Sequence, residues 1–151
     1  MKLINAWNGA SPFEPSSRLL RRVLICNAVS SFVVGVLMLV AGGMVAALMG
    51  VPGSTVLIQS VGAFLVLFAL GVEWVATRAP MNRSHAWTVV VLDASWVIGS
   101  ALALPFIARE LTLIGEAAII LVALVVLIWA VGQTAGIKRL GAPSGSSSLA
   151  A

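Results

Sequence analysis

The sequence predicts an all-α fold, a four-helix transmembrane bundle with antiparallel neighbours. Three observations carry this prediction. Hydrophobic residues make up 60% of the 151 and charged residues only 9%, where a soluble domain carries about 25% charged residues. Mean hydropathy is +1.09, so most of the surface suits lipid rather than water. The apolar residues fall into four long runs, each near or above the ~20 residues that cross a hydrocarbon core. None of the runs alternates with period two, and an open sheet edge in lipid would leave backbone groups unpaired. The length is enough for one domain.

The elements follow in order. Residues 1–17 read as a mobile cytoplasmic tail, polar and containing Ser11, Pro12, Pro15, Ser16 and Ser17. Arg18, Arg21 and Arg22 precede the first span, Val23 to Met49. That run is too long for a signal-peptide core of about 7–15 residues. Gly50, Pro52 and Gly53 end it, because proline cannot continue the helical ladder. Ser54 is the expected cap of the second span, about Thr55 to Thr77. A polar hinge with Arg78, Pro80, Asn82, Arg83, Ser84 and His85 leads to the third span, Ala86 to about Leu104. Ser84 is its expected cap and Pro105 its expected end. After Arg109 and Glu110, Thr112 caps the fourth span, which reaches about Ile137 before Lys138 and Arg139. The transmembrane domain therefore covers residues 18–140. Residues 141–151, rich in Gly, Ser and Ala, read as a disordered cytoplasmic tail.

Charge sets an expected orientation. Lys2, Arg18, Arg21, Arg22, Arg78, Arg83, Lys138 and Arg139 fall on one side and Arg109 alone on the other. The positive-inside rule then puts both termini in the cytoplasm, which in a bacterium means the inner membrane as host. Trp74 and Trp87 lie near that boundary, where interfacial anchors belong. The net charge of +4 does not imply nucleic acid, since the basic residues flank apolar runs instead of forming a patch. The lone Cys26 lies inside an apolar run and reads as a small buried core residue.

Four polar side chains inside the spans are the candidate site. At about 1.5 Å of rise per residue, Glu73 lies roughly 7 Å inside the boundary and Asp93 roughly 12 Å. Asn27 and Gln133 lie at similar depth. Each span thus offers one strongly polar group, and Asn27, Glu73, Asp93 and Gln133 are placed to converge as one intramembrane cluster. The helical faces allow it: Gln59, Gly62, Val66, Ala69 and Glu73 form one stripe, Asp93 and Trp96 another, Ala130 and Gln133 a third. Ser31 and Gly35 form a small-xxx-small pair that permits close helix approach. Such residues serve either as interhelical glue, worth about 0.6 kcal/mol each, or as a working site. A short acid at this depth must be protonated, paired or bathed in a water-filled cavity.

A six-residue match, Ser30 to Gly35 against Ala94 to Gly99, suits a duplicated helix hairpin, though chance composition accounts for it equally well. The segments Leu20–Leu24, Asn27–Ala28, Val72–Arg78 and Leu92–Ser100 together resemble a broad set of small uncharacterised bacterial four-helix integral membrane proteins. The resemblance covers about residues 18–140 and implies architecture only. Small multidrug transporters also have four helices, but their essential acid sits in the first, where this chain has none.

Two functional readings follow. The first is a structural or accessory protein that packs with itself or a membrane partner. The second is a small-ligand-binding or proton-coupled transport bundle that uses Glu73 and Asp93. A shared cavity for the two acids favours the second; acids that point apart or to headgroups favour the first. The sequence has no nucleophile elbow, Gly-rich phosphate loop or paired His and Cys, so no cofactor or metal is expected and nothing argues for an enzyme.

Overall fold

The computed structural model describes residues 15–140. Of the mobile tail expected over residues 1–17, the part up to residue 14 lies outside the described residues, as does the disordered tail expected over 141–151. Five α-helices follow one another: α1 Pro15–Val40, α2 Gly42–Met49, α3 Thr55–Thr77, α4 Arg83–Ile107 and α5 Leu113–Leu140. Four stretches are long and apolar enough to cross a membrane: Ser17–Val40, Pro52–Thr77, Arg83–Glu110 and Leu113–Leu140. Helices of 24 to 28 residues reach about 36–42 Å, more than a hydrocarbon core of about 30 Å.

The first apolar run is not one helix. It breaks at Ala41, whose φ of −109° and ψ of 21° leave the helical region. The following Gly42 and Gly43 have the lowest helix propensity of any residue but proline, which is why an apolar run need not stay a single rod. Gln59 of α3 donates its amide to Leu39 O at 3.1 Å, satisfying a carbonyl beside the interruption. α2 then ends at Gly50, whose φ of 89° is left-handed. Its N–H reaches back to Ala46 and Ala47 carbonyls, closing the helix as a glycine at this position does.

Other boundaries differ from expectation for local reasons. Helix α1 begins at Pro15, inside the stretch expected to be a tail, and Ser17 is already buried. Ser54 flanks α3 without a side-chain cap, because a 3-10 turn over Pro52–Ser54 leads into the helix. Asn82, not Ser84, caps α4: its Oδ1 accepts from Ser84 N at 2.9 Å. Pro105 does not stop α4. It sits in the last turn, the helix runs on to Ile107, and Ala108 N still bonds Leu104 O. A proline near a helix end forfeits a single ladder bond. Thr112 does cap α5, with Oγ1 accepting from Gly115 N at 3.1 Å.

The helices pack as two hairpins. α1 lies along α3, α5 lies along α4 and also against α1, and α3 scarcely touches α4. The bundle is tied at both ends. At one end, Leu20, Leu24, Val72, Val75, Ala76, Ala86, Val89 and Ile137 bury one another. There the buried Arg21 donates to Ala76 O and, at 2.6 Å, to Arg78 O, covering carbonyls at the end of α3 that have no intrahelical donor. At the other end, Thr112 donates its N–H to Met49 O at 2.9 Å and its hydroxyl to Leu48 O at 2.6 Å. The described chain therefore starts and finishes at the same end of the bundle, where Arg78, Arg83, Lys138 and Arg139 also lie.

Candidate functional site

Asp93 of α4 is 3% exposed, and Asn27 of α1 and Gln133 of α5 are fully buried. Asn27 Nδ2 and Gln133 Nε2 each donate to Asp93 Oδ2 at 2.8 Å. Three of the four sequence candidates are thus brought together, by three different helices. The hydroxyl of Ser31, one turn along α1, donates to Asn27 Oδ1 at 3.3 Å. Ser30 donates to Asn27 O at 3.0 Å. Asn27 therefore links Asp93 to the small polar face of α1.

Glu73 is not part of this group. Its side chain is exposed on the outer face of α3, against a separate shallow groove with Ala28, Val29 and Phe32. The reason is rotational. In the last turns of α3, Val72, Val75 and Ala76 take the buried face, and Glu73 is displaced by about 100° from Val72. Arg78, five residues along, stacks over Trp74, 4.4 Å from the ring centroid. His85 joins the same exposed group, 5.4 Å from Trp74. Cys26 is likewise exposed, not a core residue, since Leu24, Asn27 and Ala28 occupy the inward face of α1.

Both amides converge on one carboxyl oxygen of Asp93, which leaves Oδ1 for the cavity that Asp93 lines. The cavity has a volume of about 580 Å³, within the range of about 300–1,000 Å³ typical of small-molecule pockets. All four spans contribute to its wall: Ser31 and Val34 from α1, Phe64 and Phe68 from α3, Trp96 from α4, and Val125 and Trp129 from α5. Among the described residues, no Lys, Arg or His lines it. Because α3 and α4 scarcely touch, the cavity lies beside a gap between spans, flanked by the exposed Phe64 and Leu92.

The chemistry of Asp93 follows from its bonds. Oδ2 accepts two N–H groups, so a proton, when present, sits on Oδ1. Ionised Asp93 presents a negative oxygen to the cavity; protonated Asp93 presents a hydroxyl donor. Either state acts at the same atom and on the same space.

Sequence reasoning placed Trp96 on the face of Asp93 but passed over Trp129, Phe64 and Phe68. Trp129 carried a usable signal, since it stands four residues before Gln133 and so shares its face. The two phenylalanines carried none in their own helix that separates them from lipid-facing residues.

No family model, curated protein or solved structure matches this chain.

Proposed function

We propose that this chain is a membrane-embedded binding protein for a small, lipid-soluble ligand held in the Asp93 cavity. The observation that carries this reading is the Asp93 oxygen left free of hydrogen bonds at the wall of a predominantly apolar cavity. Pure glue would place a polar group where its partners consume it, and here two amides are spent on one oxygen while the other faces open space. The gap between α3 and α4 supports access from the bilayer. The site uses Asn27, Asp93 and Gln133, and Glu73 takes no part in it.

The chain sits in a bacterial inner membrane, with both termini in the cytoplasm. The eight-to-one distribution of basic residues supports that orientation.

The test is purification in lipid nanodiscs, followed by mass spectrometry of small molecules that travel with the protein. A cavity-filling variant, Val125→Trp, serves as the control. A co-purifying compound present with the native chain and depleted from V125W supports the reading. Identical extracts from the two would overturn it.

A second reading has its own observation. A carboxyl on the outer face of a span is costly in lipid, and Glu73 occupies such a place. A partner helix that supplies a polar group to Glu73 would make the chain an accessory protein, packing with itself or with another membrane protein.

A further inference from the structure

We propose that the ligand of the cavity is a protonated lipophilic amine, with its ammonium on Asp93 Oδ1 and its apolar body against Trp96, Trp129, Phe64 and Phe68. This rests on the binding reading above and narrows it to a chemical class.

Three independent features select that class. The first is charge. Asp93 has amide donors on Oδ2, and no basic side chain among the described residues lines the cavity. When Asp93 is ionised, a counter-charge for its carboxylate comes from the cavity's occupant. A buried charge without a partner is expensive, so a cation entering this space gains what an anion or neutral molecule does not.

The second feature is the wall. Two indoles and two phenyl rings line one cavity. Aromatic faces attract cations within about 6 Å of the ring centroid, tryptophan most strongly. The same rings pack well against an apolar body. An amine with an aromatic or alkyl body satisfies both demands.

The third feature is placement. The polar groups gather on the α1 and α4 walls, where Asn27, Ser30 and Ser31 follow one another on α1 and Asn27 is hydrogen-bonded across to Asp93 of α4, two residues from Ser95. Val122, Val125, Val126 and Leu121 supply the apolar remainder from α5. The cavity is therefore bipolar, and it matches a molecule with a charged head and a greasy body rather than one that is polar throughout.

The experiment uses the purified full-length chain and three ligands that share a body and differ in the head: naphthylmethylamine, naphthylmethanol and naphthoate. Calorimetric titration compares them on the native chain and on D93N, whose amide oxygen still accepts from Asn27 and Gln133. Charge-assisted hydrogen bonding predicts that the native chain binds the amine about tenfold to a hundredfold more tightly than the alcohol, with no binding of naphthoate. D93N should lose that preference and keep its affinity for the alcohol. Equal affinity for amine and alcohol on the native chain would overturn the choice of a cation and leave the binding reading intact. Failure of both to bind, together with identical native and V125W extracts, would remove the binding reading itself. Should D93N not fold, the ranking of the three ligands on the native chain decides the question alone, and D93E, which keeps the charge, must retain the ranking.

Discussion

Gly35 of α1 and Gly62 of α3 are in backbone contact. A Cβ built on Gly62 would lie 2.7 Å from Gly35 O, and one on Gly35 would lie 2.8 Å from Gly62 O. Each glycine exists to admit the other's main chain, and their crossing sets how closely the first hairpin packs. In lipid, where water does not drive helices together, such close approach supplies much of the attraction.

Gly62→Ala should therefore destabilise the bundle, by about 1–3 kcal/mol as expected for overpacking. Gly99, the counterpart of Gly35 in the repeated segment, has nothing within 4 Å of its Cβ position. Gly99→Ala should be neutral or stabilising, by up to about 1 kcal/mol from helix propensity. Thermal unfolding in detergent checks both. Equal losses from the two substitutions would show that the crossing is misplaced. The asymmetry also means that the two matching segments do not do the same packing work, whatever their origin.

Asp93→Leu removes the acceptor of two buried amides. Each orphaned donor costs about 1–3 kcal/mol, so the loss should exceed that of Asp93→Asn, which keeps an acceptor oxygen in place. Urea or thermal unfolding of the two variants in one detergent measures the difference. Asp93→Leu as stable as Asp93→Asn would mean that Asn27 and Gln133 do not depend on this carboxyl.

Much of this was legible before any coordinates. Run length and composition give the four spans, and the depth of Asn27, Asp93 and Gln133 relative to the flanking charges brings them to one level. The Gly35 approach shows in the small-xxx-small spacing. Rotation was the weak point. A stripe read with steps of three and four carries Glu73 with Gln59 and Val66, yet in the last turns of α3 the buried face is Val72, Val75 and Ala76. Periodicity fixes which residues share a face and not which neighbouring helix claims it. The break at Ala41 was hidden for a similar reason, since hydropathy is blind to a helix that bends without becoming polar.

Arg21 should prove structural as well as topogenic. Its guanidinium covers carbonyls of Ala76 and Arg78 at the end of α3, a role that its place between the buried Leu20 and Leu24 announces. Arg21→Gln should loosen the hinge between α3 and α4 and speed tryptic cleavage after Arg78. An unchanged cleavage rate, with folding intact, would show that the hinge holds without it.

Reporter fusions test the orientation. A cytoplasm-active signal is expected from fusions at both residue 1 and residue 151, and a periplasm-active signal from an insertion near Arg109. Because the described chain begins and ends at one end of the bundle, reporters of opposite sign at the two termini would contradict the arrangement of the spans as well as the charge argument.

The two acids should separate cleanly in a single pair of measurements. Glu73 is exposed and its carboxyl bonds nothing among the described residues, whereas Asp93 is the acceptor for two other helices. Glu73→Gln should leave unfolding within about 0.5 kcal/mol of the native chain, the usual range for a surface position. It should also leave binding in the Asp93 cavity unaltered, because the groove beside Glu73 shares no residue with that cavity. What it can change is association. If a partner helix neutralises Glu73, the glutamine variant should shift the oligomeric state or the cross-linking pattern in native lipid, since removing one charge of an intramembrane pair strands the other. Cross-linking that is identical in native and Glu73→Gln chains would retire the accessory reading for this face and leave Glu73 as a group that reaches the headgroups. A loss of stability comparable to that of Asp93→Leu would mean instead that Glu73 turns inward, and the division of labour between the two acids would fail.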